Sequence, residues 1–401
     1  MVNHITLGDK DFGFLKKPVR FLFSFPDQFS KTVEEVKKLP PTFLKTPADF
    51  TPVNKLDTDI VVLTTYSNDD NSRTIALYNL RNDSVLYKWN VKNPHQEHDR
   101  IMNPILLPNK NIIYNYAWVS GFRRIDSLGN IIWQQDSMYG HHAMNLDKHG
   151  NIWTVAQLPF WYASGMYKLN GRTVFYIDDY IVNLDVETGR ILKKISITDI
   201  LRDNGLANVI LKSQNIVDPL HTNDVQPALK TTKYYNEDDL FISIKGPSIV
   251  IQYRPSTNKV IRVIEGIFSQ QHDVDFLNDT TLVLFNNNYY CLSSEETKEP
   301  PKDSVNLKFA GNFYSNLVKY DFYNDKLSFL DDSVFIANKI FTWSEGLVDY
   351  INPSMYYIEQ QNQGVLWIIK NKDVVYKNVL KSQHEGYHHL PNWIRIVHDY
   401  E

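Results

Sequence analysis

Short apolar segments alternate with turn residues along most of this chain. The segments 78–91, 123–136, 182–197, 251–266 and 355–370 each place a Gly, Asn or Asp turn between two strand-forming runs, as in "RRIDSLGNIIWQQD". A strand, a tight turn and a second strand are the sequence signal of a β-hairpin. The pattern therefore predicts an array of hairpins and an all-β fold.

A second pattern, the inner-strand frame, precedes these hairpins. "HHAMNLDKHGNIWTVAQ" and "QHDVDFLNDTTLVLFNN" both read as a strand, a turn and an apolar strand, and aligning their turns puts His142 and His272 at the same position. The same alignment predicts inner strands with starts near residues 50, 102, 142, 272 and 345, and a sixth near His221, which has a longer turn, is placed by its neighbours. Four-stranded units repeated about six times are typical of a β-propeller with a central channel. We therefore predict a six-bladed β-propeller.

The N-terminal part of the chain does not fit this frame. "DQFSKTVEEVKKLPPTF" carries a short helical pattern that Pro40 and Pro41 end. We expect a short, partly helical extension over residues 1–48 and the propeller over 49–401. Two interpretations of the extension stay open, a peripheral cap or a stalk that followed a membrane anchor and permits peripheral membrane association.

Composition limits the possible partners. The net charge is −4 and the 42 Lys and Arg residues are spread along the chain, so a nucleic-acid partner is not expected. No apolar run approaches the ~20 residues that span a bilayer. Cys291 is the only cysteine, which excludes an internal disulfide and a CxxC motif. No signal-peptide pattern occurs before residue 25, but a trimmed export signal would give the same sequence, so the compartment stays open.

Histidines stand at the predicted starts of three inner strands. Because equivalent positions of a propeller point to one axis, His142, His221 and His272 are expected to converge despite their separation in sequence. His141 and His142 are neighbours on a strand and should face opposite sides, so only one should point into the channel. The register with His272 selects His142.

Further polar residues accompany these histidines. Asn223 follows His221, and Ser243 and Lys245 share one face of the next predicted strand. We expect Asn223 and Ser243 to contact a substrate. Three imidazoles and an ammonium suit an oxyanion such as sulfate or phosphate, since charge-assisted donors are strong in a low dielectric. A zinc site of three histidines is an alternative, but the charge of Lys245 disfavours it, so we predict no metal and no cofactor.

Four motifs in this order resemble the arylsulfate sulfotransferase family, over about residues 55–398: "HHAMNLDKHGNIW", "DPLHTNDVQ", "SIKGPSIVIQYRPSTNKVI" and "SQQHDVDFLNDTTLVLFNNN". Members of that family are six-bladed propellers that move a sulfuryl group between phenols without a nucleotide cofactor. The resemblance implies a phenolic sulfate as donor, a phenol as acceptor, and a periplasmic or other extracytoplasmic location.

The resemblance also implies roles for single residues. His272 is the expected nucleophile, which accepts the sulfuryl group as a sulfohistidine. His142, or its neighbour His141, and His221 are expected to bind the sulfuryl oxygens or to protonate the leaving phenol. The family has an arginine where this chain has Lys245, and lysine offers a point charge instead of a bidentate fork.

Some features leave alternatives open. A non-catalytic propeller that binds an anionic aromatic ligand or a protein partner would carry the same frame, with Lys245 marking the loss of activity. Residues 158–172 are predicted to form an inserted loop, whose aromatic residues 160–162, with Trp118, either stack on an arene or pack against their own blade. The C-terminal segment around His388, His389 and Trp393 is expected to close the ring rather than reach the channel.

Overall fold

The computed structural model describes residues 39, 42–69, 73–91, 100–159, 163–290, 308 and 310–398. The chain divides into two compact units, residues 1–43 and 44–401. In the first unit only residues 39, 42 and 43 are described, so most of the predicted helical pattern lies outside the described residues. The predicted boundary between residues 48 and 49 stays a prediction.

The second unit is built from antiparallel strands. β1 (Phe43–Lys45) and β2 (Val53–Asn54) come first. Blade 1 contains β3 (Val61–Ser67), β4 (Arg73–Asn79) and β5 (Ser84–Val91). Blade 2 contains β6 (Ile101–Leu107), β7 (Asn111–Tyr116), β8 (Phe122–Ile125) and β9 (Ile131–Gln135). Blade 3 contains β10 (Tyr139–Leu146) and β11 (Ile152–Gln157), then an inserted hairpin of β12 (Gly165–Leu169) and β13 (Arg172–Tyr176), then β14 (Tyr180–Leu184) and β15 (Ile191–Ser196).

The later strands continue the repeat. Blade 4 contains β16 (Thr222–Pro227), β17 (Leu240–Ile244), β18 (Ile249–Arg254) and β19 (Lys259–Ile264). Blade 5 contains β20 (His272–Asn278), β21 (Thr281–Asn286), β22 (Asn316–Asp321) and β23 (Lys326–Leu330). The last strands are β24 (Leu347–Asn352), β25 (Met355–Gln360), β26 (Val365–Lys370), β27 (Asp373–Lys381), β28 (Tyr387–His389) and β29 (Arg395–Ile396).

The described sheets form a propeller with five four-stranded blades, not the six that the sequence predicts. In the remaining position lies a seven-stranded sheet, in which β24–β27 are extended by β28, β1 and β2. The extra strands are two or three residues long, which is too short to give a hairpin pattern in the sequence. The all-β propeller is confirmed, and the prediction of six four-stranded blades is wrong.

The ring closes through the C-terminus. β29 pairs with β3, with Arg395 opposite Leu63, and so completes blade 1. The inner strand predicted near Phe50 is therefore wrong, because β29 supplies that strand. Phe50 instead lies before β2, with the Lys377 ammonium 5.0 Å from its ring centroid. The other five predicted starts agree with β6, β10, β16, β20 and β24.

Hydrogen bonds join each inner part of the ring to the next. Three of them run from a backbone N–H to an Asp carboxylate of the preceding inner strand, and we call these the interblade carboxylate bonds. In ring order the contacts are Thr65 Oγ1 to Ile101 O (2.7 Å), Trp118 N to Gly140 O (3.0 Å), Asn145 Nδ2 to Asp224 Oδ1 (2.9 Å), Val274 N to Asp224 Oδ2 (2.9 Å), Val348 N to Asp273 Oδ2 (2.8 Å) and Ile396 N to Asp349 Oδ2 (2.8 Å).

Burial explains the character of the strands. Every residue of β3, β11 and β25 is buried, because the central strands of a blade pack against neighbouring blades on both faces and so read as continuous apolar runs. β19 at the outer edge instead alternates between exposed and more buried positions. The core of the protein therefore lies between the blades.

Few helices accompany the described strands. They are α1 (Ile197–Asp203), α2 (Asp332–Asn338) and the 3₁₀ segments Pro108–Lys110, Ala207–Lys212 and Gln361–Gln363. The Ser196 hydroxyl accepts a hydrogen bond from Asp199 N and caps α1. None of the described helices is both long enough and apolar enough to cross a membrane. The predicted loop at 158–172 is corrected to a hairpin over much of its length, and its aromatic residues 160–162 lie outside the described residues.

The inner strands share a backbone irregularity near their starts. In β6, β10, β16 and β20 the pairing register shifts within the first residues, as at a β-bulge. One residue near the start of each of the six inner strands has a left-handed φ: Asn103 (48°), His142 (57°), His221 (42°), Asp273 (51°), Glu345 (55°) and Trp393 (52°). These positions lie at one mouth of the channel, where the predicted histidines stand.

Candidate active site

Four imidazoles meet where the inner strands begin. The ring centroids of His141, His221 and His272 lie 5.1, 5.3 and 5.5 Å from that of His142. Three of the rings are buried, and His221 is half-buried. The structure therefore brings together the three histidines that the frame predicted. Their chemical roles stay predictions.

The expected separation of His141 from His142 is wrong. His141 pairs with Val155, but the next pair of this ladder joins Met144 to Thr154, so His142 lies in a bulge. With its left-handed φ of 57°, His142 breaks the alternation of side chains along β10. The ring centroid of His141 is consequently only 6.2 Å from that of His221. Both neighbours belong to the cluster.

Hydrogen bonds define the tautomer of His272. Its Nδ1 lies 2.7 Å from Asn287 Oδ1, and Asn287 Nδ2 donates to the carbonyl oxygens of Thr342 (2.9 Å) and Glu345 (2.7 Å). The two carbonyls fix the amide, so its oxygen faces the ring and Nδ1 must carry the proton. Glu345 N donates to His272 Nε2 at 3.2 Å. Nε2 therefore holds the lone pair.

His221 bridges a carboxylate and a second imidazole. Its Nδ1 lies 2.5 Å from Asp218 Oδ2, and its Nε2 lies 3.2 Å from His142 Nε2. A carboxylate accepts the proton of Nδ1, so the neutral His221 ring has its lone pair at Nε2 and accepts a hydrogen bond from His142. An imidazole that faces a carboxylate on one side can take up and release a proton on the other.

His141 is held by a second carboxylate. His141 Nε2 lies 3.3 Å from Asp179 Oδ1, and the same carboxylate accepts hydrogen bonds from Gln157 Nε2 (2.7 Å) and Thr222 N (2.6 Å). Burial works against ionisation of Asp179, but these hydrogen bonds outweigh it and hold the pKa below its ordinary value. Asp179 thus fixes the ring of His141 and ties blade 3 to the start of blade 4.

Lys245 supplies the positive charge of the site. It follows β17 and is half-buried, and its ammonium makes no hydrogen bond or ion pair within the described part of the chain. Burial lowers its pKa, while the charges of Asp218 and Glu345 act in the opposite direction. A buried ammonium without an anion is costly unless a ligand supplies one.

The electrostatics keep the imidazoles neutral. Burial is the largest cause that lowers the pKa of His142, His221 and His272, and the charge of Lys245 lowers all three further. For His142 the neighbouring imidazoles contribute more than Lys245 does. The Asp218 carboxylate partly offsets the effect at His221. A neutral imidazole keeps an unprotonated nitrogen, which nucleophilic chemistry requires.

Asn223 and Ser243 support the segment that carries His272. Asn223 Nδ2 donates to Gln271 O at 2.9 Å, and Gln271 Nε2 donates to Ser243 Oγ at 3.1 Å. Both side chains are fully buried. Because β17 ends at Ile244, the strand alternation between Ser243 and Lys245 does not extend to Lys245. The bonds to Gln271 position the residue before His272, and contact of Asn223 or Ser243 with a substrate stays a prediction.

An ionic network lies near the starts of the inner strands β6, β24 and β29, which carry no histidine of the cluster. Arg100 donates through both terminal nitrogens to the carboxylate of Glu345 at 3.2 and 2.5 Å, and through Nη1 to Asn392 Oδ1 at 3.2 Å. Glu345 is the residue whose backbone N–H reaches His272 Nε2. The ion pair thus holds a backbone donor in place at Nε2 of His272.

Two tryptophans flank His142. The rings of Trp118 and Trp393 have centroids 5.3 and 5.6 Å from that of His142. Trp118 also stacks on His141 at 5.7 Å. The C-terminal segment therefore both closes the ring, through β29, and reaches the channel, through Trp393, which the sequence expectation had treated as alternatives. His388 instead bonds to Thr46 at 2.8 Å, away from the cluster.

The arrangement suits transfer of a tetrahedral anionic group better than metal binding. Within the part of the chain that the structure describes, no group of three or more His, Cys, Asp or Glu side chains could hold a metal ion. A lone pair at Nε2 of His272, an imidazole that can exchange protons and an unpaired ammonium are the groups that nucleophilic substitution at an anionic centre requires.

Comparisons with known proteins agree with this geometry. The sequence model of the Arylsulfotransferase (ASST) family matches residues 103–378, more than half of the chain. No curated protein matches the chain. A protein of unknown function from Bacteroides caccae is similar in structure, with a TM-score of 0.52 and 10% sequence identity over 85% of this chain and 100% of that chain.

Two other solved structures are less similar. TolB from Acinetobacter baumannii has a TM-score of 0.40 and 12% identity over 88% of this chain and 68% of that chain. Virginiamycin B lyase from Staphylococcus aureus has a TM-score of 0.40 and 9% identity over 86% and 90%. Of these three structures, only that from Bacteroides caccae is similar enough to support a conclusion, and it supports the fold alone. The family match establishes more than the fold. The chain belongs to the arylsulfotransferase (ASST) family, and this membership supports aryl sulfotransferase activity on small aryl substrates.

Proposed function

We propose that the protein transfers a sulfuryl group from a phenolic sulfate ester to an acceptor phenol through a sulfohistidine formed at Nε2 of His272. The hydrogen-bond pattern of that ring carries the proposal. Asn287 holds the proton at Nδ1, and the lone pair of Nε2 lies in a cluster of buried, neutral imidazoles. A neutral imidazole is a competent nucleophile at neutral pH.

In the first half-reaction the lone pair of His272 Nε2 attacks the sulfur of the aryl sulfate. The N–S bond forms as the S–O bond to the aryl group breaks, and the electron pair leaves with the phenolate oxygen. The negative charge of the bound ester favours protonation of His221, whose other nitrogen faces Asp218. The protonated His221 then gives its proton to the leaving phenolate.

In the second half-reaction the acceptor phenol attacks the sulfur of the sulfohistidine. His221, now neutral, takes the phenolic proton as the O–S bond forms and the N–S bond breaks. His272 regains its lone pair and His221 its proton, so the cycle closes without a cofactor. One histidine therefore serves both half-reactions, which gives ping-pong kinetics.

The charge that develops on the sulfuryl oxygens needs donors. Lys245 has no partner among the described residues, and its charge acts on all three inner-strand histidines. The backbone N–H of Glu345 lies 3.2 Å from the nitrogen that would carry the sulfuryl group, so it can donate to a sulfuryl oxygen once the N–S bond forms. His142 donates to His221, and His141 and His142 are further candidate donors to the sulfuryl oxygens.

Substitution of His272 tests the proposal. His272→Asn should leave the fold intact and abolish transfer from p-nitrophenyl sulfate to phenol, measured as release of p-nitrophenolate. His149→Asn is the matched control, because His149 is exposed in the turn before β11 and should keep full activity. Transfer by the His272→Asn protein at the rate of the His149→Asn protein would reject His272 as the nucleophile.

Mass spectrometry separates the enzyme from a binding protein. After incubation with an aryl sulfate and rapid acid-free digestion, the peptide that contains His272 should be heavier by one sulfuryl group. Saturable binding of the aryl sulfate without this adduct would instead identify a propeller that binds an anionic aromatic ligand. An extracytoplasmic location and association with a membrane are further proposals that rest on the family resemblance.

A further inference from the structure

A cavity lies in the channel beyond the histidine cluster. Its volume is about 630 Å³, and all six inner strands or the segments next to them contribute to its wall. The histidines stand at the starts of these strands, whereas the wall of the cavity includes residues further along each strand, such as Gln226 of β16, Phe276 of β20 and Tyr350 of β24. The cavity therefore faces the opposite mouth of the channel.

Trp393 borders both sites. Its ring lies at a centroid distance of 5.6 Å from that of His142, and the same residue lines the cavity. Trp393 is buried, and none of the four clustered histidines belongs to the lining of the cavity. A ligand in the cavity would therefore lie beside the proposed sulfuryl-transfer site.

Three Asp side chains of the inner strands line the cavity, and they differ in their partners. Asp273 and Asp349 each accept an interblade carboxylate bond, so the fold accounts for them. Asp275 lines the cavity as well, but within the described part of the chain its carboxylate makes no hydrogen bond and no ion pair. Asp275 is half-buried, and a partly desolvated carboxylate without a partner is costly unless a ligand or solvent satisfies it. Of the three inner-strand carboxylates, Asp275 is therefore the one that no described protein group binds.

The surroundings of Asp275 oppose its ionisation. Burial, followed by the carboxylates of Asp224 and Asp349, raises its pKa to about 8, while Arg395 acts in the opposite direction. Asp273 and the Tyr350 hydroxyl are the other titratable groups that interact with it. Asp275 therefore keeps its proton to a higher pH than an ordinary carboxyl group does, and a cation next to it would favour loss of that proton.

We propose that this cavity binds an organic ammonium ion, with Asp275 as its counter-ion and the rings of Phe276, Tyr350 and Trp393 as its apolar walls. The volume lies within the range of about 300–1,000 Å³ that is usual for small-molecule sites. Aromatic walls with one carboxylate suit an ammonium carried on an apolar body. An anion is disfavoured, because Asp273, Asp275 and Asp349 line the cavity, whereas Arg395 donates to Met144 O and interacts with the same acidic side chains.

Isothermal titration calorimetry with phenethylammonium chloride tests the proposal, since this probe has the charge and an aromatic ring but no phenol to accept a sulfuryl group. We expect saturable one-site binding at pH 7, with release of up to one proton, which titrations in two buffers of different ionisation enthalpy measure. The neutral isostere 2-phenylethanol should bind about tenfold more weakly or less, because it cannot form the charge-assisted contact.

Variants locate the site. Asp275→Asn should weaken phenethylammonium binding about tenfold or more and abolish proton release. Asp279→Asn is the matched control, because this exposed carboxylate also borders the cavity but pairs with Lys230 at 2.7 Å. His272→Asn should lose sulfuryl transfer and keep ammonium binding.

Three outcomes would each overturn the proposal: no saturable binding of phenethylammonium, equal affinity for 2-phenylethanol, or unchanged affinity in Asp275→Asn with weaker binding in Asp279→Asn. If the Asp275→Asn protein does not fold, the comparison of phenethylammonium with 2-phenylethanol in the wild-type protein decides. Equal affinity for the two would show that no carboxylate of the cavity contacts the ammonium.

Discussion

Asn287 offers the sharpest test of how the fold prepares His272 for its proposed role as the nucleophile. Its side-chain oxygen accepts the Nδ1 proton of His272 at 2.7 Å, and its nitrogen donates to the carbonyl oxygens of Thr342 and Glu345. The substitution Asn287→Ala removes all three hydrogen bonds from a fully buried position. The Nδ1–H of His272 then has no acceptor, although the reactive tautomer still requires its proton there.

The size of the effect follows from the cost of an unsatisfied buried group. Leaving one buried donor without a partner costs about 1–3 kcal/mol. This cost falls on the tautomer with a free lone pair at Nε2, so kcat/KM for sulfuryl transfer should fall about 5- to 150-fold. The carbonyl oxygens of Thr342 and Glu345 also lose their donor, so the free energy of unfolding should fall by about 2–4 kcal/mol.

The assay compares Asn287→Ala with Asn288→Ala. The neighbouring Asn288 donates to Tyr314 O at 3.0 Å and makes no hydrogen bond to His272, so its loss should change stability more than catalysis. Release of p-nitrophenolate from p-nitrophenyl sulfate, with phenol as acceptor, gives kcat/KM, and urea unfolding gives stability. If the folded Asn287→Ala protein has a kcat/KM within about twofold of Asn288→Ala, the tautomer argument is wrong.

Two further predictions concern charge. Lys245→Ala should lower kcat/KM about 10- to 150-fold, because a hydrogen bond to a charged group contributes about 1.5–3 kcal/mol. Lys245→Arg should keep most of the activity, because it keeps the charge. Equal losses of kcat/KM in the two variants would contradict a role for the charge. The acid limb of kcat/KM against pH should lie below the ordinary imidazole value of 6.5, because burial and then the charge of Lys245 lower the pKa of His272 and the neutral ring is the reactive form. An acid limb at or above pH 6.5 in a rate profile with p-nitrophenyl sulfate, whose leaving group needs little protonation, would show that His272 does not titrate as the structure requires.

The sequence predicted the repeated strands but not the pairing that closes the ring. Four of the five inner-strand starts that agree with the inner-strand frame are followed by their own turn and apolar strand within about ten residues, and the start near His221 was placed by its neighbours because its turn is longer. The inner strand of blade 1 comes instead from β29, two residues near the opposite end of the chain. A strand of that length carries no periodicity, so only pairing across the ring determines it.

Some contacts of the candidate site could likewise be predicted from the sequence, and others could not. The convergence of His142, His221 and His272 follows from their shared position in the frame, because a ring turns equal positions into neighbours. Asp218 stands three residues before His221 in "DPLHT", so a local signal existed for that contact. The ion pair between Arg100 and Glu345 joins residues 245 positions apart, and no local pattern indicates it.

The alternation rule failed at His141 because the site is built from the irregular part of each strand. A non-glycine residue with left-handed φ costs of order 1–3 kcal/mol and persists only where its surroundings over-determine it. At His142 and His221 those surroundings are contacts between blades, such as Thr222 N to Asp179 Oδ2 and Asn145 Nδ2 to Asp224 Oδ1. The closed ring therefore holds the imidazoles at positions that an isolated hairpin would not adopt, and the geometry of the site depends on the same bonds that join the blades.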